Sequence, residues 1–173
     1  LNMSLVADLK KAIDNDELEL YHQPQIDLRT GSIHGSEVLL RWEHPKFGQV
    51  SPEVFVKLAE GVGLINDLTI WVIKRAFYQQ SKLIELGYSR RLSINISASD
   101  IAIPNLVDKI ADIAQNYNVP TGLLSLELTE STMVSDYVRL NEVIEKLSKF
   151  DIEVSIDDYG TGYSSLTYLS QLP

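Results

Sequence analysis

The sequence contains no cysteine among its 173 residues. This absence excludes disulfide bonds, thiolate metal sites and a cysteine nucleophile. Any metal ion must therefore bind oxygen ligands or one of the three histidines, His22, His34 and His44. We interpret His44 as structural, because a metal site with several carboxylates needs no imidazole.

Basic residues and long apolar runs are also scarce. Lysine and arginine number 15 against 24 aspartates and glutamates, so the net charge is −9. Nonspecific binding to nucleic acids requires a basic surface, and we expect no DNA or RNA polymer as a partner. No apolar run is long enough to span a bilayer, and residues 1–10 lack the pattern of a signal peptide. The missing initiator methionine indicates a start that was cut from a longer chain.

The apolar residues, 45% of the chain, are spaced as in one soluble domain with a sizeable core. Residues 17–28 and 32–42 alternate around a glycine-containing turn and predict a β-hairpin. Strands and helices then alternate, which predicts parallel strands joined by helices. The predicted strands are 91–97, 123–131 and 152–159. A short helix around residues 5–13 opens the domain, and further helices are predicted from Pro52, at 65–86, between residue 97 and the "VPTG" segment at 119–122, at 137–150 and at 164–172. A closed β/α barrel needs eight strands and roughly 250 residues, so about five strands leave open a smaller open sheet or a truncated barrel.

Polar side chains recur near the ends of four of the predicted strands. They are Glu37, Asn95, Glu127, Asp157 and Asp158. The carboxyl ends of parallel strands converge on one face, so these residues are predicted to line one pocket. Clustered carboxylates repel one another unless cations are present, and oxygen ligands suit Mg²⁺ or Mn²⁺. Two such ions, roughly 3.5–4 Å apart, are the usual arrangement for attacking a phosphodiester.

Each of these residues also has a simpler interpretation. A lone acid at a strand end is often a cap or a solvated loop residue, and Glu130 could interact with a helix N-terminus. Asn95 is harder to dismiss, because it lies in an apolar run and a buried amide needs a partner. Arg41 is either a surface ion-pair partner or a phosphate clamp. Tyr21 and Trp42 are interpreted as core or rim aromatics.

The motifs "YHQPQIDLRTG", "SEVLLRWEHPKFGQVSPEVFVKLAEGVGLI", "LSINIS", "LELTES" and "DDYGTGYSSLTYL" occur in the order found in bacterial EAL domains, the cyclic di-GMP phosphodiesterases. The sequence resembles this family over almost its whole length, with Val38 where the signature triplet has alanine. The resemblance implies an α/β fold, a TIM-type (β/α)8 barrel with an antiparallel early strand. It implies hydrolysis of cyclic di-GMP to linear pGpG with Mg²⁺ or Mn²⁺.

The resemblance also implies roles for individual residues. Metal ligation falls to Glu37, Asn95, Glu127 and Asp157, with Asp158 serving a second metal. Catalytic roles are implied for Glu37, Asp157, Asp158 and Glu130, of which Glu130 would brace the loop after residue 157. Contacts with the dinucleotide are implied for Gln23, Leu40 and Arg41.

The family continues beyond the segment that ends here at Pro173, with a lysine and a glutamate that serve the reaction. We therefore expect residues 1–173 to be the N-terminal two-thirds of a single EAL domain, with about five strands and an incomplete second metal site. We expect the chain on its own to be inactive and to form a dimer or a domain-swapped assembly. The expected location is the bacterial cytoplasm, either alone or as the cytoplasmic part of a larger protein. The alternative function is a receptor that binds cyclic di-GMP without cutting it.

Overall fold

A computed structural model describes residues 2–129 and 136–157, which form one layer of sheet and one layer of helices. The strands are β1 (Glu19–Ile26), β2 (Ile33–His44), β3 (Gly48–Val50), β4 (Arg91–Ile96), β5 (Leu124–Thr129) and β6 (Glu153–Asp157). The helices are α1 (Asn2–Asp14), α2 (Pro52–Gly61), α3 (Ile65–Glu85), α4 (Ala98–Ile101), α5 (Leu106–Asn116) and α6 (Tyr137–Lys149). The helix predicted at residues 164–172 lies outside the described residues.

The strands form one sheet in the order β1-β2-β4-β5-β6, with β3 added to the end of β2. β1 and β2 are antiparallel, which confirms the predicted hairpin. β2, β4, β5 and β6 are parallel, as the strand–helix alternation predicts. The sequence analysis missed β3 and α4, because segments of three and four residues are too short to show a period.

The two faces of the sheet differ sharply in polarity. Side chains alternate between faces along a strand, and residues in register on parallel strands share a face. One face carries apolar side chains that are buried under the helices, namely Val38, Trp42, Leu92, Ile94, Ile96, Leu124, Leu126 and Leu128. The other face carries polar side chains, namely Gln23, Glu37, Arg41, Ser93, Asn95, Ser125 and Glu127. Parallel strands that are buried on both faces read as continuous apolar runs. The alternation seen here therefore shows that one face packs against the helices and the other is not part of the apolar core.

Five of the described helices, α1, α2, α3, α5 and α6, end in the same way, and four of these endings precede a strand. The residues after α3, α5 and α6, for example, adopt a left-handed conformation at Gly87, Asn118 and Asp151, with φ of 87°, 55° and 59°. The next residue then donates its backbone N–H to a carbonyl five positions back, as Val119 does to Ala114 at 3.0 Å. This is the Schellman motif, which glycine and asparagine favour because their left-handed conformation costs little.

His44 joins α1 to the end of β2 from inside the core. Its Nε2 lies 2.7 Å from Asp8 Oδ2, and its Nδ1 accepts hydrogen bonds from the backbone N–H groups of Lys46 and Phe47. Because Nδ1 accepts, the proton of the neutral ring lies on Nε2 and is donated to Asp8. Both ring nitrogens are engaged in holding the fold, in agreement with the structural interpretation of His44. Trp42, predicted to be a core or rim aromatic, is a core residue with 1% of its surface exposed.

β2 and β4 approach each other closely at Gly35, which is in register with Arg91. A Cβ atom at position 35 would lie 2.7 Å from the backbone oxygen of Arg91. Only glycine allows this approach, because side-chain atoms do not come so close to a carbonyl oxygen. The Arg91 side chain forms an ion pair with Glu153 of β6 on the polar face. This end of the sheet is therefore tied together across β2, β4, β5 and β6.

Candidate active site

The predicted metal ligands lie on the polar face, toward the carboxyl ends of the parallel strands. Asn95 Nδ2 donates a hydrogen bond of 3.1 Å to Glu37 Oε1. Glu127 is in register with Asn95 on the neighbouring strand, so the two share this face. Asn95 is exposed, whereas Glu37 and Glu127 are half-buried. The burial expected for Asn95 is therefore wrong, because its side chain alternates onto the polar face, where its partner is another predicted ligand.

Asp157 is the last residue of β6 and is in register with Thr129 at the end of β5. For Asp157 the structure describes the backbone alone. Glu130 and Asp158, for which a catalytic role is implied, lie outside the described residues. Within residues 2–129 and 136–157, no three histidine, cysteine or acidic side chains are grouped closely enough to hold a metal ion.

The donor set nevertheless fits a hard divalent cation. Glu37, Asn95 and Glu127 offer carboxylate and amide oxygens, which are the ligands that Mg²⁺ and Mn²⁺ prefer. The Asn95 amide group donates its N–H toward Glu37, so its carbonyl oxygen remains available as a ligand. His44 does not compete as a nitrogen ligand, because both its ring nitrogens are engaged, and the chain has no cysteine to offer a thiolate.

Two of the three predicted substrate contacts share this face. Gln23 is in register with Glu37, and Arg41 lies four residues beyond Glu37 on the same side of β2. Leu40 points the other way: it packs against the hydrophobic core and is in register with the buried Leu20. The structure therefore does not bring Leu40 together with the polar residues, because alternation along β2 places Leu39 there instead. That alternation was visible in the sequence.

Asp100 fixes the turn that follows Asn95. Its Oδ2 accepts the Ser97 backbone N–H at 2.8 Å, while its own N–H is donated to Ser97 Oγ at 3.3 Å, a capping box at the start of α4. The residue is buried, and burial raises the pKa of the Asp100 carboxyl although the hydrogen bonds from Ser97 oppose that rise. This burial could not be read from the sequence, because it depends on the packing of α4 against α3 and α6.

The substitution Asp100→Asn is expected to make stability less dependent on pH. An ordinary aspartate ionises near pH 4, so the unfolded chain loses this proton first. Above that pH the folded state holds more protons at Asp100, and its stability falls as the pH rises toward the raised pKa. Asparagine keeps an oxygen acceptor for Ser97 but does not titrate. We expect the urea midpoint of the variant, relative to the parent, to rise between pH 4 and pH 7.

Asp100→Ala is the matched control: like asparagine it does not titrate, but it also loses the hydrogen bonds from Ser97, so its stability should lie about 1 kcal/mol below that of Asp100→Asn at every pH. Parallel pH curves for the parent and Asp100→Asn would contradict the raised pKa of Asp100. The difference between the two curves isolates this carboxyl, because every other titrating group is common to both proteins.

Comparisons with known proteins agree with this geometry. The family model described as "EAL domain" matches residues 6–173. A cyclic di-GMP phosphodiesterase of Pseudomonas aeruginosa, PA2567, is 39% identical over 98% of this chain and 29% of its own length. The bifunctional diguanylate cyclase/cyclic di-GMP phosphodiesterase MucR of the same organism is 38% identical over 99% of this chain and 25% of its own. The chain therefore spans less than a third of the length of either curated relative.

The solved structures include the PaMucR phosphodiesterase in its c-di-GMP complex, with a TM-score of 0.90 and 38% identity over 98% of this chain and 69% of that one. The FimX EAL domain of Xanthomonas citri, 24% identical with a TM-score of 0.88, covers 99% of this chain and 66% of its own and shares the fold. The fold is that of a TIM-type (β/α)8 barrel with an antiparallel early strand, from which the described residues supply β1, β2, β4, β5 and β6. This chain belongs to the EAL domain family.

Proposed function

We propose that the protein containing this chain is a metal-dependent phosphodiesterase that hydrolyses cyclic di-GMP to linear pGpG. The observation that carries the proposal is the contact between Glu37 and Asn95 on a polar face that also carries Glu127 and Arg41. Relatives that are 38–39% identical over nearly the whole chain bear the name of this activity, which supports the choice of substrate.

The proposed metal ligands are Glu37, Asn95, Glu127 and Asp157, with Asp158 for a second ion. When bound, such ions polarise the phosphodiester and lower the pKa of water at the site. Asn95 holds the Glu37 carboxylate in place by its hydrogen bond, so that the ligand set is ordered before the ion arrives. Glu130 is proposed to brace the loop after Asp157.

Substrate binding is proposed for Gln23 and Arg41. The Arg41 guanidinium offers several N–H donors in one plane, which suits the oxygens of a phosphodiester. It is half-buried, where its attraction for an anion is screened less than at an exposed site. Gln23 lies on β1, directly across from Glu37 of β2 and on the same face. Its side-chain amide can donate a hydrogen bond to the substrate or accept one from it.

Removal of divalent cations tests the proposed function in the complete protein. We expect conversion of cyclic di-GMP to pGpG to stop in excess EDTA and to return when Mg²⁺ or Mn²⁺ is added beyond the chelator. Product formation is followed by chromatography, and binding of cyclic di-GMP is measured in parallel by calorimetry. Binding without turnover at any Mg²⁺ or Mn²⁺ concentration would contradict the phosphodiesterase and identify a receptor.

Residues 1–173 are further proposed to be the N-terminal two-thirds of a single EAL domain. The share of the PaMucR chain that this one covers, 69%, supports that extent.

Self-association of the chain is also proposed, because β1 and β6 are the two edges of the sheet among the described strands, and unpaired edges favour pairing with another chain. A cytoplasmic location in a bacterium is proposed as well. No helix in the described residues is long and apolar enough to cross a membrane.

A further inference from the structure

Among the described residues, Arg41 has no acidic partner, although the face on which it lies is rich in acids. Within residues 2–129 and 136–157, no carboxylate lies within ion-pair distance of its guanidinium, whereas Arg75 and Arg91 are paired with Asp16 and Glu153. Its one hydrogen bond in that part of the chain runs from Nη1 to the backbone oxygen of Leu40, at 3.0 Å. Most of its donors are therefore open to a ligand, but a long side chain with one anchor is costly to immobilise.

A second anchor comes from Tyr21 on the neighbouring strand. The guanidinium carbon of Arg41 lies 5.5 Å from the centroid of the Tyr21 ring, within the range of a cation–π contact. Tyr21 is in register with Leu39, which places its ring on the polar face and diagonal to Arg41. The ring is 51% exposed, so it contributes little to the core. An aromatic residue in this place is explained by its contact with Arg41 better than by packing.

We propose that Tyr21 is a positioning residue that holds the Arg41 guanidinium ready for a phosphate group of the substrate. The inference rests on the proposed function for the identity of the ligand. Tyr21 acts by reducing the rotational freedom that Arg41 loses on binding, so its effect falls on affinity and leaves the chemical step unchanged. From the sequence, Tyr21 was interpreted only as a core or rim aromatic. Its cation–π contact with Arg41 could not be predicted, because it depends on the register between β1 and β2.

The test uses the complete protein and four variants. Tyr21→Leu removes the ring, Tyr21→Phe keeps it, and Arg41→Ala removes the cation. Tyr88→Leu is the matched control, because Tyr88 is 57% exposed and its ring meets no cation in the described part of the chain. We expect Tyr21→Leu to raise KM for cyclic di-GMP about two- to fivefold, the range that an exposed cation–π contact allows, with kcat unchanged. Tyr21→Phe and Tyr88→Leu should match the parent.

A double-mutant cycle separates action through Arg41 from a direct contact with the substrate. If Tyr21 acts only through Arg41, Tyr21→Leu adds nothing to the rise in KM that Arg41→Ala already causes. An additive rise in KM would overturn the positioning role and assign Tyr21 a contact of its own. An unchanged KM in Tyr21→Leu alone would overturn it as well.

The same variants are examined without turnover. The Arg41 Nε–H signal in NMR spectra should show the ring-current shift of a nearby aromatic face in the parent and in Tyr21→Phe, but not in Tyr21→Leu. Calorimetry with cyclic di-GMP in EDTA gives the dissociation constant for each variant. If the parent binds but does not turn over, the proposed function fails, while the dissociation constants still decide the role of Tyr21. A parent that does not bind overturns both. A ring-current shift of the Arg41 Nε–H signal that persists in Tyr21→Leu overturns the positioning role but leaves the proposed function standing.

Discussion

Glu37→Gln is expected to abolish hydrolysis of cyclic di-GMP by the complete protein while leaving the fold intact. Glutamine has the same shape and can still accept the hydrogen bond that Asn95 donates to Oε1. It lacks the negative charge that a divalent cation requires of a ligand. Loss of a group that merely orients a ligand costs about 10–100-fold, so loss of a ligand itself should lower turnover by at least about 100-fold. The loss of turnover is measured by comparing initial rates of the parent and Glu37→Gln over a range of Mg²⁺ concentrations.

Glu43→Gln is the matched control for Glu37→Gln. Glu43 is an exposed residue on the same strand, in register with Gln49 of β3, and has no proposed role in the site. Its variant should turn over cyclic di-GMP at the parental rate. The thermal midpoints of both variants should lie close to that of the parent. Full activity in Glu37→Gln would show that Glu37 does not bind the metal, and the ligand assignment for β2 would have to be abandoned.

Gly35→Ala is expected to have the largest effect on stability of any glycine-to-alanine substitution among the described glycines. The new Cβ would lie 2.7 Å from the Arg91 oxygen, so β2 and β4 must separate or shift. Forcing an extra carbon into a packed site costs about 1–3 kcal/mol, and here the neighbour is rigid backbone in the middle of a sheet. We therefore expect a loss at or above the upper end of that range, measured as a lower urea midpoint.

Gly61→Ala provides the comparison, because a Cβ at position 61 meets nothing within 4 Å and α2 ends at this residue. Alanine is the better helix former, so Gly61→Ala should leave stability unchanged or raise it by up to about 1 kcal/mol. Gly35 also lies two residues before Glu37, and a shift of β2 there should displace Glu37 from Asn95. Equal midpoints for the two variants would mean that β2 and β4 do not approach as closely as described.

The sequence was sufficient to predict the hairpin, the parallel strands and the proximity of Glu37, Asn95 and Glu127. The reason is physical: a strand that is polar on one side and apolar on the other records its two environments in alternate residues. The prediction that Asn95 and Glu127 lie together rested on the convergence of strand ends, and the structure shows that alternation in "LSINIS" and "LSLELT" places them on one face. The contact between Glu37 and Asn95 could be expected only in outline, since it depends on the register between β2 and β4.

Features that depend on contacts between elements could not be predicted in the same way. The choice of Leu40 as a substrate contact followed from the resemblance and conflicts with the alternation that places Glu37 and Arg41 on the other side. The role of Gly35 was hidden, since a glycine in a strand does not reveal which backbone lies against it. The burial of Asp100 could not be predicted, because it comes from helices distant in the sequence.

The hydrogen bonds of His44 leave neither of its ring nitrogens free to bind a metal ion. His44 has both ring nitrogens occupied, His22 is bound through Nε2 to Gln79, and His34 alternates onto the side of β2 opposite Glu37. With no cysteine in the chain, every ligand that this chain offers to an ion on the polar face is an oxygen. Zinc and copper bind most protein sites more tightly than magnesium does, and they gain most from nitrogen and sulfur. The oxygen ligands proposed for this face therefore favour the abundant hard cations and give zinc and copper the least advantage.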